Sequence, residues 1–303
     1  MDKIKIGIPR SLFYYYDGNI LISFFKNLNF EVIVSPPTNR LIVEEGMKYS
    51  NDEMCLSLKI LIGHVSYLKD KCDYIIIPRI DNYGISNQTC TNFLALYDII
   101  KNLFNVNIIN YNINLKNKET LLKGLWQIGK EFNINTKDII KAYKKAISYD
   151  NKIKNKLINS NYSKLYSSKL KILLVGHSYN IHDDYIGTPL VKYLNKLDCE
   201  VLYSDYFNSK STNKLSSKFS KELYWKYSKE SIGSIKLVED NIDGVIFLTT
   251  FPCGLDSLVN ELVIRKLKIP NINLVIDDIN SLTGIYTRLE SFIDILEQRR
   301  EHV

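Results

Sequence analysis

Strand-like and helix-like patterns alternate along this chain, and the series runs twice. In the first series the apolar run Ile4–Ile8 ends at Pro9-Arg10-Ser11. Leu12–Leu28 follows, with Leu21, Phe24, Phe25 and Leu28 at helical spacing. A second strand, Phe30–Val34, is stopped by Ser35-Pro36-Pro37-Thr38-Asn39. Helices are expected over Arg40–Met47 and from Asn51 to Leu68, the latter capped by Asn51 or Asp52. The third strand is Cys72–Arg79. A polar loop over Asp81–Gln88, a helix over Phe93–Phe104 and a strand over Val106–Ile109 complete the series.

No strand signal appears from Lys116 to Ser168, where two amphipathic helical patterns sit. The alternation then resumes. Strands are expected at Lys171–Val175, Glu200–Tyr203, Gly244–Leu248 and Ile272–Ile276, and helices at Pro189–Leu197, Ser228–Asp240, Leu258–Leu267 and Gly284–Gln298. Glu31-Val32 and Glu200-Val201 stand 169 residues apart, Asp73 and Asp243 stand 170 apart, and Asn107 and Asn273 stand 166 apart. Alternating strands and helices give parallel sheets covered by helices. The expected fold is therefore α/β: two Rossmann-like parallel-sheet domains related by internal duplication, residues 1–115 and 170–303. A basic helical connector, 116–169, joins them, and a ligand cleft lies between them.

Composition narrows the function. The net charge of +7 is misleading, because residues 116–169 hold thirteen Lys, no Arg and four acids, or +9, which leaves about −2 for the rest. With seven arginines against thirty-three lysines and no aromatic–basic signature, the basic segment reads as a solvated helix face, and nucleic acid is not an expected partner. No apolar run approaches the ~20 residues that span a bilayer. The first residues enter a strand pattern without a signal-peptide core, so the expected location is the cytoplasm, with no membrane partner.

Five cysteines, at 55, 72, 90, 199 and 253, contain no CxxC pair. Cys72 and Cys199 precede strands, at the bottom of their sheets, and read as structural. Cys90 and Cys253 follow the third strands of the two series, where ligands of open α/β sheets bind. Cys55 opens a helix that leads down into the third strand. In Phe251-Pro252-Cys253-Gly254-Leu255-Asp256-Ser257 the expected turn is made by Gly254, and Asp256 or Ser257 is the expected helix cap. A thiolate at a helix N-terminus faces the positive end of the dipole. Three such thiols, Cys55, Cys90 and Cys253, suit zinc with an open site or an iron–sulfur cluster. His177 is available as a fourth ligand.

These stretches resemble a known family. Ile6-Gly7-Ile8-Pro9-Arg10, Val34-Ser35-Pro36-Pro37-Thr38-Asn39, Asp52-Glu53-Met54-Cys55, Ile77-Pro78-Arg79, Gly176-His177-Ser178-Tyr179-Asn180, Cys253-Gly254-Leu255-Asp256-Ser257 and Thr287-Arg288-Leu289-Glu290 are similar to stretches of the acyl-CoA dehydratase activase-related proteins. Those are relatives of the cluster-bearing subunits of 2-hydroxyacyl-CoA dehydratases. The resemblance implies a [4Fe-4S] cluster on Cys55, Cys90 and Cys253. It also implies a partner, an ATP-dependent activase or another redox protein that delivers single electrons, and an acyl-CoA substrate that loses its 2-hydroxyl group. The chain has neither GxxxxGK[ST] nor GxGxxG, so nothing marks it as the ATP-hydrolysing component. An electron relay or scaffold for such an activase, and a metal-free small-molecule binding protein, are the competing readings. A homodimer or heterodimer stays open.

Other residues carry narrower expectations. Arg10 and Arg79 each follow a proline at a strand end and can contact a substrate anion, or else pair with Glu53 or Asp81. Glu53 and His177 are the candidate acid–base residues. Tyr179 and Asn180 are expected to line the cleft.

Overall fold

The computed structural model describes residues 3–278 and 282–301. Its contacts divide it into two units: unit 1 comprises residues up to 153 together with 224–226, and unit 2 comprises 154–223 and the residues from 227 on.

Unit 1 runs β1 (Lys5–Ile8), α1 (Tyr14–Asn27), β2 (Glu31–Val34), α2 (Arg40–Lys48), α3 (Leu56–Leu68), β3 (Tyr74–Ile76), β4 (Arg79–Asn82), α4 (Thr91–Leu103), β5 (Ile108–Ile109), β6 (Asn112–Asn114) and α5 (Leu121–Glu131). Helix α6 (Thr136–Ser163) holds the boundary at residue 153. Unit 2 runs β7 (Leu170–Val175), α7 (Ser178–Ile181), α8 (Gly187–Lys196), β8 (Cys199–Tyr203), α9 (Ser209–Ser216), α10 (Lys226–Val238), β9 (Gly244–Thr250), α11 (Gly254–Ile264), β10 (Asn271–Ile276) and α12 (Thr283–Glu301).

Both four-stranded sheets are parallel and have the same order, β2-β1-β3-β5 and β8-β7-β9-β10. The expected α/β fold with repeated parallel sheets is present. Central strands are apolar on both faces because helices cover both sides, and all seven residues of β9 are buried.

The repeat extends to single hydrogen bonds. The Lys5 backbone N–H donates to Asp73 Oδ2 at 2.7 Å, and that of Lys171 donates to Asp243 Oδ2 at 2.7 Å. The aspartate N–H groups return to the Lys5 and Lys171 carbonyls, at 3.0 and 2.8 Å. Lys5 lies beside Glu31 in the ladder, and Lys171 beside Glu200.

The helix pairs match as well. A Cβ on Gly63 of α3 would lie 2.0 Å from the Ile42 carbonyl oxygen in α2, and one on Gly233 of α10 would lie 1.8 Å from that of Thr212 in α9. Gly46 makes the reciprocal approach to the Lys59 carbonyl. Only glycine lets backbones come this close.

Four local expectations are corrected. Helix α3 begins at Leu56 with Cys55 as its N-cap. The Asn51 side chain accepts from the Met54 N–H at 3.0 Å and so closes a turn ahead of the helix instead of capping it. The third strand stops at Ile76, because Pro78 has no N–H for the ladder. Arg79–Asn82 then pairs with β6 as a separate two-stranded parallel sheet, where a polar loop is expected from Asp81. Asn82 donates to Asn114 at 2.9 Å and Asn114 to Asp81 at 2.8 Å across it. Helices α7 and α9 have no clear apolar period; α9 is started by Asn208, whose side chain accepts from the Lys210 and Ser211 N–H groups.

Gly63→Ala and Gly233→Ala should each destabilise the protein by about 2 kcal/mol, in the range of overpacked cores. Gly254→Ala, whose Cβ meets nothing within 4 Å, should cost nothing measurable. Urea unfolding midpoints of the three variants check this.

Candidate functional site

With this strand order, the direction of winding reverses between β1 and β3 in unit 1 and between β7 and β9 in unit 2. The residues just past the carboxyl ends of those strands are where such sheets bind ligands.

In unit 2, β9 leads into a turn with a cis Phe251–Pro252 bond, closed by the Cys253 N–H on the Thr250 carbonyl at 2.9 Å. Cys253 is the N-cap of α11 and is half-buried. The turn is therefore made at Pro252, and Gly254 is simply the first residue of the helix. Neither expected cap is used. The Ser257 hydroxyl donates back to the Cys253 carbonyl at 2.8 Å. The Asp256 carboxylate is buried and faces His177, which follows β7: His177 Nε2–H donates to Oδ1 at 2.8 Å and the Thr249 hydroxyl to Oδ2 at 3.2 Å. A carboxylate can only accept, so Nε2 carries the proton.

Tyr179 stacks on the His177 ring, 4.9 Å between centroids and 17° between planes, with Tyr227 edge-on at 6.2 Å. Tyr179 and Asn180 are buried. They pack behind His177, and the Asn180 N–H donates to the His177 carbonyl at 2.8 Å.

A second pair lies beside it. His182 Nε2 meets Asp205 Oδ2 at 2.9 Å, past the end of β8, and the His182 ring stacks on Tyr206 at 4.7 Å. Burial alone would raise the Asp205 carboxyl. The His182 charge and hydrogen bonds from His182 and Ser178 outweigh it and hold the group below the usual range.

In unit 1, the Arg10 N–H donates to Ser35 Oγ at 2.8 Å past the end of β1, and its guanidinium lies 5.9 Å from the Tyr14 ring centroid. His64 of α3 is fully buried, with Nε2 3.0 Å from Thr38 Oγ1. Burial, and then the Arg10 charge, press its pKa down to about 3. Arg79 pairs with neither Glu53 nor Asp81. It forms a two-bond fork on Asp98, at 2.5 and 3.2 Å, under the Tyr97 ring at 4.3 Å. Cys55 and Cys90 are the N-caps of α3 and α4, both half-buried and neither using its side chain as a cap. The Asn92 amide, two residues past Cys90, donates to Cys55 Sγ at 3.6 Å. Glu53 is exposed in the turn two residues before Cys55, outside the helix.

Cys72 and Cys199 sit at the opposite, amino-terminal ends of β3 and β8. Burial pushes both thiols up to about 11, with Asp73 adding to it for Cys72 and Glu297 for Cys199. They stay protonated at neutral pH. Among the described residues no group of three or more His, Cys, Asp or Glu is placed to hold a metal ion.

A family model described as CoA enzyme activase uncharacterised domain (DUF2229) matches residues 5–207. The chain belongs to that family. The match takes in Cys55, Cys90 and His177 of this activase-family chain, and Cys253 lies beyond it. No curated protein matches. Among solved structures, the SBP FpvC from P. aeruginosa in complex with Ni2+ ion is similar, with 11% identity over 90% of this chain and 87% of that one and a TM-score of 0.30. ZnuA is similar with 10% identity over 95% and 98% and a TM-score of 0.29. A Zn(II)-bound mutant variant of AdcAII from Streptococcus pneumoniae has 10% identity over 98% and 99%, with a TM-score of 0.27. Likeness at these scores decides nothing about the activase-family chain. No described helix is long and apolar enough to cross a membrane.

Nothing in the sequence signals the His177–Asp256 bond beyond the position of each residue past its strand. His64, a lone histidine in the apolar stretch Leu56–Leu68, carries no sequence signal of the Arg10 charge that acts on it.

Asp205→Asn should destabilise the protein by about 3 kcal/mol at neutral pH, as broken buried pairs do. A depressed carboxyl contributes stability that is present above the unfolded carboxyl range and lost as pH falls through the folded value. The wild type should therefore lose stability below about pH 4 more steeply than the variant. Unfolding midpoints across an acid pH series check it.

Proposed function

We propose that this chain is an iron–sulfur protein of the 2-hydroxyacyl-CoA dehydratase type, in which Cys55, Cys90 and Cys253 hold a [4Fe-4S] cluster. One observation carries the reading. All three cysteines are N-caps with extended backbone and no side-chain cap bond, so each thiolate faces the N–H groups of a first helical turn and the positive end of a dipole. Cys72 and Cys199, with thiols held protonated, lack that setting. The Asn92–Cys55 contact supports Cys55 and Cys90 acting together. Thiolates are the usual ligands of such a cluster, and when bound it would supply a low-potential one-electron carrier.

The chain's own residues would do the rest. His177 holds a proton at Nε2 against Asp256. We assign Arg10 to the anionic groups of an acyl-CoA, and Arg79 as well if it exchanges Asp98 for them. Glu53, exposed beside Cys55, is the second proton-transfer candidate. Five cysteines outside any disulfide suit a reducing, cytoplasmic setting. The family match favours an ATP-dependent activase as electron donor. The same match supports a second reading, an electron relay or scaffold for that activase that turns over no acyl-CoA itself.

Anaerobic purification with iron and sulfide analysis tests the proposal. About four irons and four sulfides per chain are expected for such a cluster, lost in Cys55→Ser, Cys90→Ser and Cys253→Ser and kept in Cys72→Ser and Cys199→Ser. Full cluster content in Cys253→Ser would overturn the assignment. Turnover of a 2-hydroxyacyl-CoA by the isolated, reduced chain would rule out the relay reading.

A further inference from the structure

We propose that unit 2 holds a built site for one water molecule, hydrogen-bonded between His177 Nδ1 and Ser228 Oγ. The site lies at the winding reversal between β7 and β9 and stands apart from the cluster reading.

A small cavity opens there, lined by Gly176, His177, Ser228, Ser231, Asp256 and Asn260 among others, with about 10 Å³ of room for the centre of a water molecule. That is close to the space one water needs. His177 and Ser228 are 7% and 4% exposed, and His177 Nδ1 and Ser228 Oγ have no hydrogen-bond partner among the described residues. Two of their neighbours are already engaged. The Ser231 hydroxyl donates to the Gly176 carbonyl at 2.7 Å, and Asp256 accepts from His177 and Thr249. Buried polar atoms of this kind are rarely left unmade.

The chemistry selects the ligand. Nε2 carries its proton toward Asp256, so Nδ1 presents a lone pair. A water can donate to it and accept from the Ser228 hydroxyl at once. Among the described residues no lysine or arginine lines the cavity and the Asp256 carboxylate does, which disfavours an anion. The room for a water's centre, about 10 Å³, suits a single water molecule.

The first unit supplies an internal control. Helices α3 and α10 have thirteen residues each, and the offset of 170 from Leu56 to Lys226 also carries Leu58 and Leu61 to Ser228 and Ser231. The offset of 163 from Cys90 to Cys253, the N-caps of α4 and α11, carries Phe93 to Asp256. Leu58, Leu61 and Phe93 are buried and apolar. The fold fills this place with hydrocarbon in one unit, so the polar set in the other serves something other than folding.

A crystal structure of the full chain, at a resolution that orders internal waters, should show a single peak within about 2.7–3.2 Å of both atoms. An empty cavity, a direct Ser228–His177 bond or a bound ion would overturn the proposal. In solution, wild-type protein labelled with 15N-histidine should show His177 Nε2 protonated and a long-lived water cross-relaxing with His177 Hε1, the ring signals being assigned by His177→Gln. No such cross-relaxation would overturn it. In Ser228→Ala the His177 Nδ1 resonance should move while Nε2 stays, and an unmoved Nδ1 would also overturn it.

Discussion

A carboxylate at the foot of each third strand sets everything above it. Asp73 and Asp243 accept from the N–H of Lys5, the first residue of β1, and of Lys171, the second of β7, and return their own N–H to the same residue. Parallel strands have no hairpin to fix their register, and a slip of one residue turns every side chain to the other face. The double bond at the foot removes that freedom. The residues emerging at the other end are therefore fixed: Arg10 past β1, His177 past β7, and the turn to Cys253 past β9.

The two units share this frame and differ in what they place on it. Strand order, foot hydrogen bonds and the glycine contact of a helix pair are common to both. Each unit also puts a cysteine at the N-cap of the helix after its third strand. Beneath those caps they diverge. Unit 1 packs Leu58, Leu61 and Phe93, and unit 2 carries Ser228, Ser231 and Asp256. The sorting of cysteines by height in the sheet rests on the shared frame. The His177–Asp256 pair rests on the divergence.

Much of the frame is readable from the chain because it is written in apolar periodicity and in punctuation by proline and asparagine. The strands of the two four-stranded sheets, the longer helices and the repeat come straight from those signals; the small β4–β6 sheet does not. Long-range pairing of polar side chains leaves no such signal. Asp256 looks like a helix cap because it stands near a helix start; its bond to His177, 79 positions away, has no local trace. Arg79 likewise finds Asp98 because β4 and α4 pack together, and Glu53 and Asp81 are merely nearer in sequence. Helix α9 is hidden in the sequence because it is polar on most sides and is held by Asn208 and by the Gly233 contact.

The contact of Gly46 and Gly63 has a mechanical meaning. Side chains between helices act as soft springs, since they can change rotamer; two backbones in direct contact cannot. Helices α2 and α3 form one stiff stave, with Cys55 at the end of α3. The short turn ahead of it, Asn51 to Met54, is held by the Asn51 side chain and a single backbone bond. Cys55 is thus rigidly mounted on one side and pliantly on the other.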